Sequence, residues 1–292
     1  MPFIGNTGTF AIFLKSMQPW TFPASILSVL LGICLAWKHD SKFNPLNSFL
    51  TLCVILLTHT AGNFVNSFYE AQSRRFFVSS LTRRRTLELN IHCGIWSYFL
   101  ATIAFTTLAV LSDAQFRQEF GVFAIGILAS LLHGGRLNNN ILGELLACGT
   151  FGPLSVFFTY FEQVGTTHGQ LSNSWIILYS LPFTFFTEAI LHSQSTRDID
   201  VDRKAGSRTL AVIVGQHGAC QLNTFFLLFP YVIIVLMATS CSPIIYIPLI
   251  TLPFALNLCK ACFQGKHFTL PKRIAFLDVL FGLLYVLSVF VS

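Results

Sequence analysis

The stretch Leu222-Asn-Thr-Phe-Phe-Leu-Leu-Phe-Pro-Tyr-Val-Ile-Ile-Val-Leu-Met-Ala-Thr-Ser240 runs for 19 residues without one charged side chain. A helix rises 1.5 Å per residue, so such a run reaches across the hydrocarbon core of a bilayer. Eight more apolar runs lie near Trp20–Trp37, Leu50–Tyr69, Ile91–Leu111, Gly121–Leu132, Ile141–Phe161, Trp175–Leu191, Pro243–Cys262 and Ile274–Val291. The fourth is short. The pattern predicts an all-α integral membrane protein whose bundle holds nine transmembrane helices. Composition agrees: the 292 residues are 53% hydrophobic and only 10% charged, whereas a soluble domain carries about a quarter charged residues. Too little polar surface remains to coat a water-soluble core. No short repeat or low-complexity linker breaks the chain, so residues 1–292 are read as one domain. The N-terminus shows no basic segment followed by a cleavage site, and its first apolar run is expected to act as an anchor.

The charges test this layout. With the loops assigned alternately to two faces, one face receives 15 of the 18 Lys and Arg residues and the other only Lys38, Lys42 and Arg117. A wrong span count would scramble that asymmetry. The positive-inside rule places the basic face and the N-terminus in the cytoplasm. The net charge of +6 is thereby a topological signal, and nucleic acid is not an expected partner. Most of the eight Cys lie in apolar runs, where free Cys behaves as a small hydrophobe. Cys259 and Cys262 form a single CxxC, a weak metal or redox signal without a second pair.

Ionisable groups in or beside membrane spans are costly and mark functional sites. At the cytoplasmic end of span two, Asn63, Asn66 and Glu70 share one helical stripe. Two amide oxygens and a carboxylate form a hard-oxygen surface of the kind Mg²⁺ accepts, or a polar stripe that packs on neighbours. After span six, Asp198 and Asp202 are i,i+4 neighbours, while Asp200 points away. Like carboxylates on one face repel unless a cation lies between them; the plainer reading is a solvated loop neutralised by Arg197 and Arg203. Arg197, Arg203, Lys204 and Arg208 could grip phosphate oxygens or merely set topology. Glu144, Glu188 and His192 could line a cavity or pair internally. Arg83 to Arg85 read as a loop that anchors on anionic lipid. Two oxygen clusters on one basic face, opening onto an apolar bundle, point to a ligand with a diphosphate head and a hydrocarbon tail. Mg²⁺ would neutralise charge on the leaving diphosphate.

At these residues the chain resembles the UbiA superfamily of intramembrane prenyltransferases. Gly62 to Glu70 follows the family pattern Gly-Asn-x-x-Asn-x-x-x-Asp, with Glu in the last place. Thr187 to Gly206 carries the second motif, Thr-Glu-Ala-Ile-Leu-His-Ser then Thr-Arg-Asp-x-x-x-Asp-Arg-x-Ala-Gly, and Arg208 to Ala211 continues it. Gln18–Thr21, Phe151–Leu154, Leu270–Arg273 and Gly282–Tyr285 fit as well. The resemblance implies a nine-helix bundle around a central apolar cavity that opens at the cytoplasmic face. There Mg²⁺, held by Asn66, Glu70, Asp198 and Asp202 through the diphosphate, assists catalysis with Asn63. Arg197, Arg203, Lys204, Arg208, Asn138, Glu188 and His192 are the implied substrate-binding residues. Within the family the similarity is to the menaquinone-4 (vitamin K2) branch. That implies geranylgeranyl diphosphate as donor, menadiol as acceptor, membranes of the endoplasmic reticulum, Golgi or mitochondria, and contact with a sterol-synthesis reductase; ubiquinone formation is the neighbouring possibility.

The departures cluster on the diphosphate side: Glu70 for Asp, Gln194-Ser195 for Asn-Asn, and Asn138 or Asn139 near the place of an expected Lys. They keep open a non-catalytic member that binds prenyl diphosphate as a sensor or scaffold. A transporter fits less well, because the polar groups crowd one face instead of marking a path. The charge reading makes a direct prediction. A glycosylation acceptor engineered between residues 112 and 116 will be modified in microsomes, and one engineered between 264 and 268 will not; the opposite pattern inverts the topology.

Overall fold

The computed structural model describes residues 9–73, 80–112, 114, 116–135, 137, 140–165, 169–240 and 242–292. Among them every regular element is a helix. The short α1 (Thr9–Met17) stops where Gln18 turns left-handed at φ 51° and Pro19 opens a 3₁₀ turn; proline lacks the N–H that would carry α1 onward. Then come α2 (Phe22–Asp40), α3 (Pro45–Ser73), α4 (Ser80–Leu111) and α5 (Phe116–Gly134). Next, α6 (Ile141–Gly149) and α7 (Ser155–Val164) form one rod interrupted by a π turn at Thr150–Leu154. Pro153 cannot donate within that turn, and the rod re-forms around it. The Thr150 carbonyl accepts from Ser155 Oγ at 2.7 Å, and the Phe151 carbonyl accepts from Ser28 Oγ on α2. The long α8 (Asn173–Ala205) and α9 (Leu210–Ser240, bent at Gly215) are followed by a 3₁₀ segment leading into α10 (Leu252–Phe263), and α11 (Leu270–Val291) closes the chain.

Eight segments of the described residues are long and apolar enough to cross a membrane. The ninth expected span is α5, the short one: 19 residues whose first turn carries Arg117, Gln118 and Glu119. Several helices overrun their apolar runs. The helix of span three begins at Ser80, so Arg83 to Arg85, expected in a loop, lie on α4, where Arg84 Nε meets Glu88 Oε1 at 2.8 Å. Span six continues from Leu191 to Ala205, and span seven begins at Leu210. Arg, Lys, Glu and Leu are good helix formers, so hydropathy marks where lipid ends and not where the helix ends.

The larger core gathers α2, α7, α8, α9 and α11 around Phe183, Phe186, Phe281 and Tyr285, all fully buried. The Tyr285 hydroxyl donates to the Tyr179 carbonyl at 2.8 Å. A smaller cluster joins Val29, Val54, Ile55, Phe105, Leu108 and Phe158. The outer face of α4 shows Trp96, Phe99, Ile103 and Val110 to the surroundings, as a lipid-facing helix does. Lys272 on α11 stands 5.4 Å from the Trp20 ring, a cation–π contact that ties the two end segments singled out in the sequence.

One close approach sets the position of the polar residues. A Cβ on Gly134 of α5 would lie 2.6 Å from the Gly62 carbonyl and 3.1 Å from the Asn66 nitrogen of α3. Gly134 is therefore what lets α5 meet α3 beside the first motif. Gly134→Ala will push the helices apart at a cost of about 1–3 kcal/mol, read as a lower thermal transition in detergent. An unchanged transition would show that this contact does not hold the helices.

Candidate active site

The C-terminal turns of α3 carry Asn63, Asn66 and Glu70, and those of α8 carry Arg197, Asp198 and Asp202. All six line one cleft of about 1010 Å³, with Glu144, Gln194, Ser195, Ser207 and Thr209 among its other walls. Two motifs separated by more than a hundred residues thus face the same space.

The end of α8 explains why the acidic motif is helical and where it stops. Arg203 and Lys204 sit in the last turn, where cations favour the helix dipole. Gly206 then turns left-handed at φ 77°. Its N–H reaches the Arg203 carbonyl at 3.2 Å, and the Ser207 N–H reaches the Asp202 carbonyl at 2.9 Å. These are the paired bonds of a glycine-terminated helix, and they bring Ser207 and Thr209 back to the cleft. Asn140 pairs with Arg208 through a backbone bridge, so the connection before α6 lies against this turn. Asn138 falls in that connection, outside the described residues.

The side chains divide by task. The Asn63 Nδ2 donates to the Met17 carbonyl at 2.9 Å and to Thr21 Oγ1 at 3.2 Å, which leaves the amide oxygen as its donor atom for a cation. The Asn66 Oδ1 is buried and has no hydrogen-bond partner among the described residues. Arg197 grips Asp198 with both arms, Nε to Oδ1 at 2.9 Å and Nη2 to Oδ2 at 2.9 Å. Asp202 is buried at 7% exposure. One orphaned amide oxygen with three carboxylates fits a small, hard divalent cation, and Arg197 adds a planar fork suited to phosphate.

Behind the cleft, Ser195 Oγ donates to Glu144 Oε1 at 3.0 Å. Cys148 Sγ donates to Glu188 Oε2 at 2.8 Å, and His192 Nε2 meets the Ala219 carbonyl at 3.1 Å. Glu144, Glu188 and His192 are all buried, with donor atoms within 4.8 Å of one another; only Glu144 lines the cleft. Arg203, Lys204 and Arg208 are exposed and lie outside the cleft lining, and Arg203 reaches Asp200 at 3.9 Å.

A second, apolar cavity of about 640 Å³ adjoins the cleft, bounded by Val54, Ile55, Val122, Phe123, Leu154 and Phe158 among others. His59, Asn63, His133 and Phe151 line both spaces. The sequence reading did not single out His59. Ser25 Oγ lies 2.7 Å from its Nδ1 and Thr21 Oγ1 lies 3.0 Å from its Nε2, and the Phe151 ring is 4.2 Å away. The signal was present: it is the one acid, base or imidazole inside the Leu50–Tyr69 run, a costly placement in a membrane. His133, whose Nδ1 meets the Gly143 carbonyl at 2.8 Å, stands one residue past the Gly121–Leu132 run.

Comparison with known proteins agrees with this geometry. A model of the UbiA prenyltransferase family matches residues 25–281. UbiA prenyltransferase domain-containing protein 1 of Mus musculus is 33% identical over 290 residues, covering 97% of this chain and 84% of that protein. The homolog of that protein in Drosophila melanogaster is 32% identical over 304 residues, with coverages of 97% and 81%. Among solved structures, a UbiA homolog from Aeropyrum pernix K1 superposes with a TM-score of 0.69 at 14% identity, over 93% of this chain and 98% of that one. A UbiA homolog from Archaeoglobus fulgidus bound to GPP and Mg²⁺ gives 0.61 at 14% identity, over 96% and 100%. The matched residues take in both motifs and the helices that carry them, and the chain belongs to the UbiA prenyltransferase family.

Proposed function

We propose that this chain moves a prenyl group from its diphosphate to the ring of a reduced quinone, with geranylgeranyl diphosphate as donor and menadiol as acceptor. The observation that carries the reading is the convergence of the α3 and α8 motifs on one polar cleft that adjoins an apolar cavity. A diphosphate head suits the first space and a hydrocarbon tail the second. The acceptor and the chain length rest on the family resemblance of the motifs. So do residence in endoplasmic reticulum, Golgi or mitochondrial membranes and association with a sterol-synthesis reductase.

The C1–O bond of the donor breaks, and the diphosphate leaves with the bonding pair. A ring carbon of the quinol supplies the electron pair that forms the new C–C bond, and its proton passes to the released diphosphate or to water. Mg²⁺, when bound, neutralises charge that builds on the leaving group. Asn66, Glu70, Asp198 and Asp202, with Asn63 beside them, would hold the Mg²⁺ through oxygen atoms and the anionic head through that cation. Arg197 turns from Asp198 toward the phosphates, so that donor binding exchanges one ion pair for another. Arg203, Lys204 and Arg208 draw the anionic donor to the mouth from their exposed positions, and the family resemblance implies Asn138 as a further substrate-binding residue. Glu188 and His192 stand behind Glu144, held by Cys148 and by the Ala219 carbonyl. His59 and Phe151 mark the junction of head and tail, where the cation at C1 develops.

A second reading is favoured by one observation, the bidentate hold of Arg197 on Asp198: a non-catalytic member that binds prenyl diphosphate as sensor or scaffold. It predicts thermal stabilisation by the donor without product.

Two experiments test the proposal. Membranes from a host lacking its own enzyme, given menadiol, geranylgeranyl diphosphate and Mg²⁺, will form the prenylated product. Asp198→Asn and Asp202→Asn will each lower the rate at least about 100-fold, the scale for removing one group that stabilises transition-state charge. No product from the unaltered chain, or full rates in both variants, would overturn the proposal. Gly126 lines the apolar cavity, and a Cβ there would meet nothing within 4 Å. Gly126→Phe will therefore fill the tail space without disturbing the helices. It will suppress turnover of the geranylgeranyl donor while sparing a five-carbon donor; equal losses with both donors would place the tail elsewhere.

A further inference from the structure

Away from the cleft, three soft ligand atoms meet at the end of α10. Cys220 comes from α9, Cys262 from the last turn of α10, and His267 from the connector before α11. Their donor atoms all lie within 4.8 Å of one another. Cys262 Sγ is 2.8 Å from Cys220 Sγ and 3.9 Å from His267 Nδ1. Both thiols are buried, at 3% and 1% exposure, and none of the three residues lines the cleft.

The connector is built to return the histidine. Gly265 turns left-handed at φ 77°. The Gly265 N–H bonds the Cys262 carbonyl at 3.0 Å, and the Lys266 N–H bonds the Ala261 carbonyl at 3.0 Å. This reverses the chain directly after Cys262. The far nitrogen of His267, Nε2, lies 3.1 Å from the Gln216 amide nitrogen. Turning that amide over would let its oxygen accept from Nε2–H and leave the Nδ1 lone pair toward the sulfurs, the arrangement that orients a metal-binding imidazole.

We infer that Cys220, Cys262 and His267 form a binding site for a thiophilic divalent cation, Zn²⁺, that pins the α10–α11 connector to α9. Zn–S bonds of about 2.3 Å and Zn–N bonds of about 2.0 Å in a tetrahedron put two sulfurs roughly 3.7 Å apart and a sulfur and nitrogen roughly 3.5 Å apart. The observed separations of 2.8 and 3.9 Å bracket these values, so seating the ion moves the groups by roughly 1 Å or less. Deprotonation of the two thiols offsets the ion's charge, and a fourth position stays open to water. The CxxC pair alone carried little weight; a cysteine 42 residues from Cys262 and a histidine held by a glycine turn supply the rest of the donor set.

The test uses the full chain purified in detergent under reducing conditions, with Zn²⁺ as probe and metal content as readout. About one zinc per chain is expected to survive washing with a weak chelator. Cys220→Ser and Cys262→Ser will reduce it to background. Gln216→Ala will weaken binding about tenfold or more through loss of support for the imidazole. Cys259→Ser, one turn from Cys262 and outside the three-donor group, will retain the zinc. Should the serine variants fail to fold, Co²⁺ reconstitution of the unaltered chain decides: thiolate-to-cobalt charge-transfer absorption supports the site, and its absence overturns it. Zinc retained in both serine variants, or a Cys220–Cys262 disulfide in peptide maps of the reduced preparation, would likewise overturn it.

Discussion

Hydrocarbon offers no hydrogen bonds, so each polar group below the headgroups of this chain must find its partner in protein. The tie between α2 and α3 shows how that is met. Both His59 nitrogens face hydroxyls, from Ser25 and Thr21, and Asn63 spends its amide nitrogen on Thr21 and the Met17 carbonyl. The first motif is thereby fixed to the segment where α1 gives way to α2. The π turn at Thr150–Leu154 follows the same rule, since the Ser155 and Ser28 hydroxyls donate to its Thr150 and Phe151 carbonyls.

Against this background the unpartnered atoms are informative. Asn66 Oδ1, Glu144 Oε2, Thr187 Oγ1 and Gln194 Nε2 are buried without partners among the described residues, and all four residues line the cleft. A buried polar atom left alone costs about 1–3 kcal/mol, so four around one space mark a place built for a polar guest. Other buried atoms without a partner among the described residues lie away from the cleft, on Asn90 of α4, Asn223 of α9 and Asp278 of α11. The guest at the cleft is the proposed diphosphate with its Mg²⁺. In the proposed reading, charge on the head and apolarity of the tail orient the donor before any chemistry, since the head suits the polar space and the tail the apolar one.

Much of this was legible in the sequence. Spans such as Leu222–Ser240 announce themselves by lacking charge, and the Lys and Arg asymmetry put Asn66 and Asp202 on one face. The spacing of Asn63, Asn66 and Glu70, and of Asp198 and Asp202, placed each set on a helical stripe. Hydropathy did not show that α8 runs through its acidic motif to Ala205, since that depends on dipole-favouring cations and the Gly206 turn. It did not show Arg83 to Arg85 on a helix, because propensity continues where apolarity stops. Nor could spacing show that Cys220 meets Cys262, a tertiary fact fixed by how α9 and α10 pack. The hold of Arg197 on Asp198 joins neighbours on α8, in line with the reading of these acids as neutralised by arginine.

In the proposed reading α3 and α8 grip one ligand together. Calorimetric binding of a non-ionising thiodiphosphate analogue of the donor, with and without Mg²⁺, tests it without turnover. The account predicts Mg²⁺-dependent binding that Asn66→Ala and Asp202→Ala each weaken. It also predicts that the double variant loses less than the two single losses combined, since both residues serve one ion and one diphosphate. Binding that ignores Mg²⁺, or fully additive losses from the two helices, would contradict it.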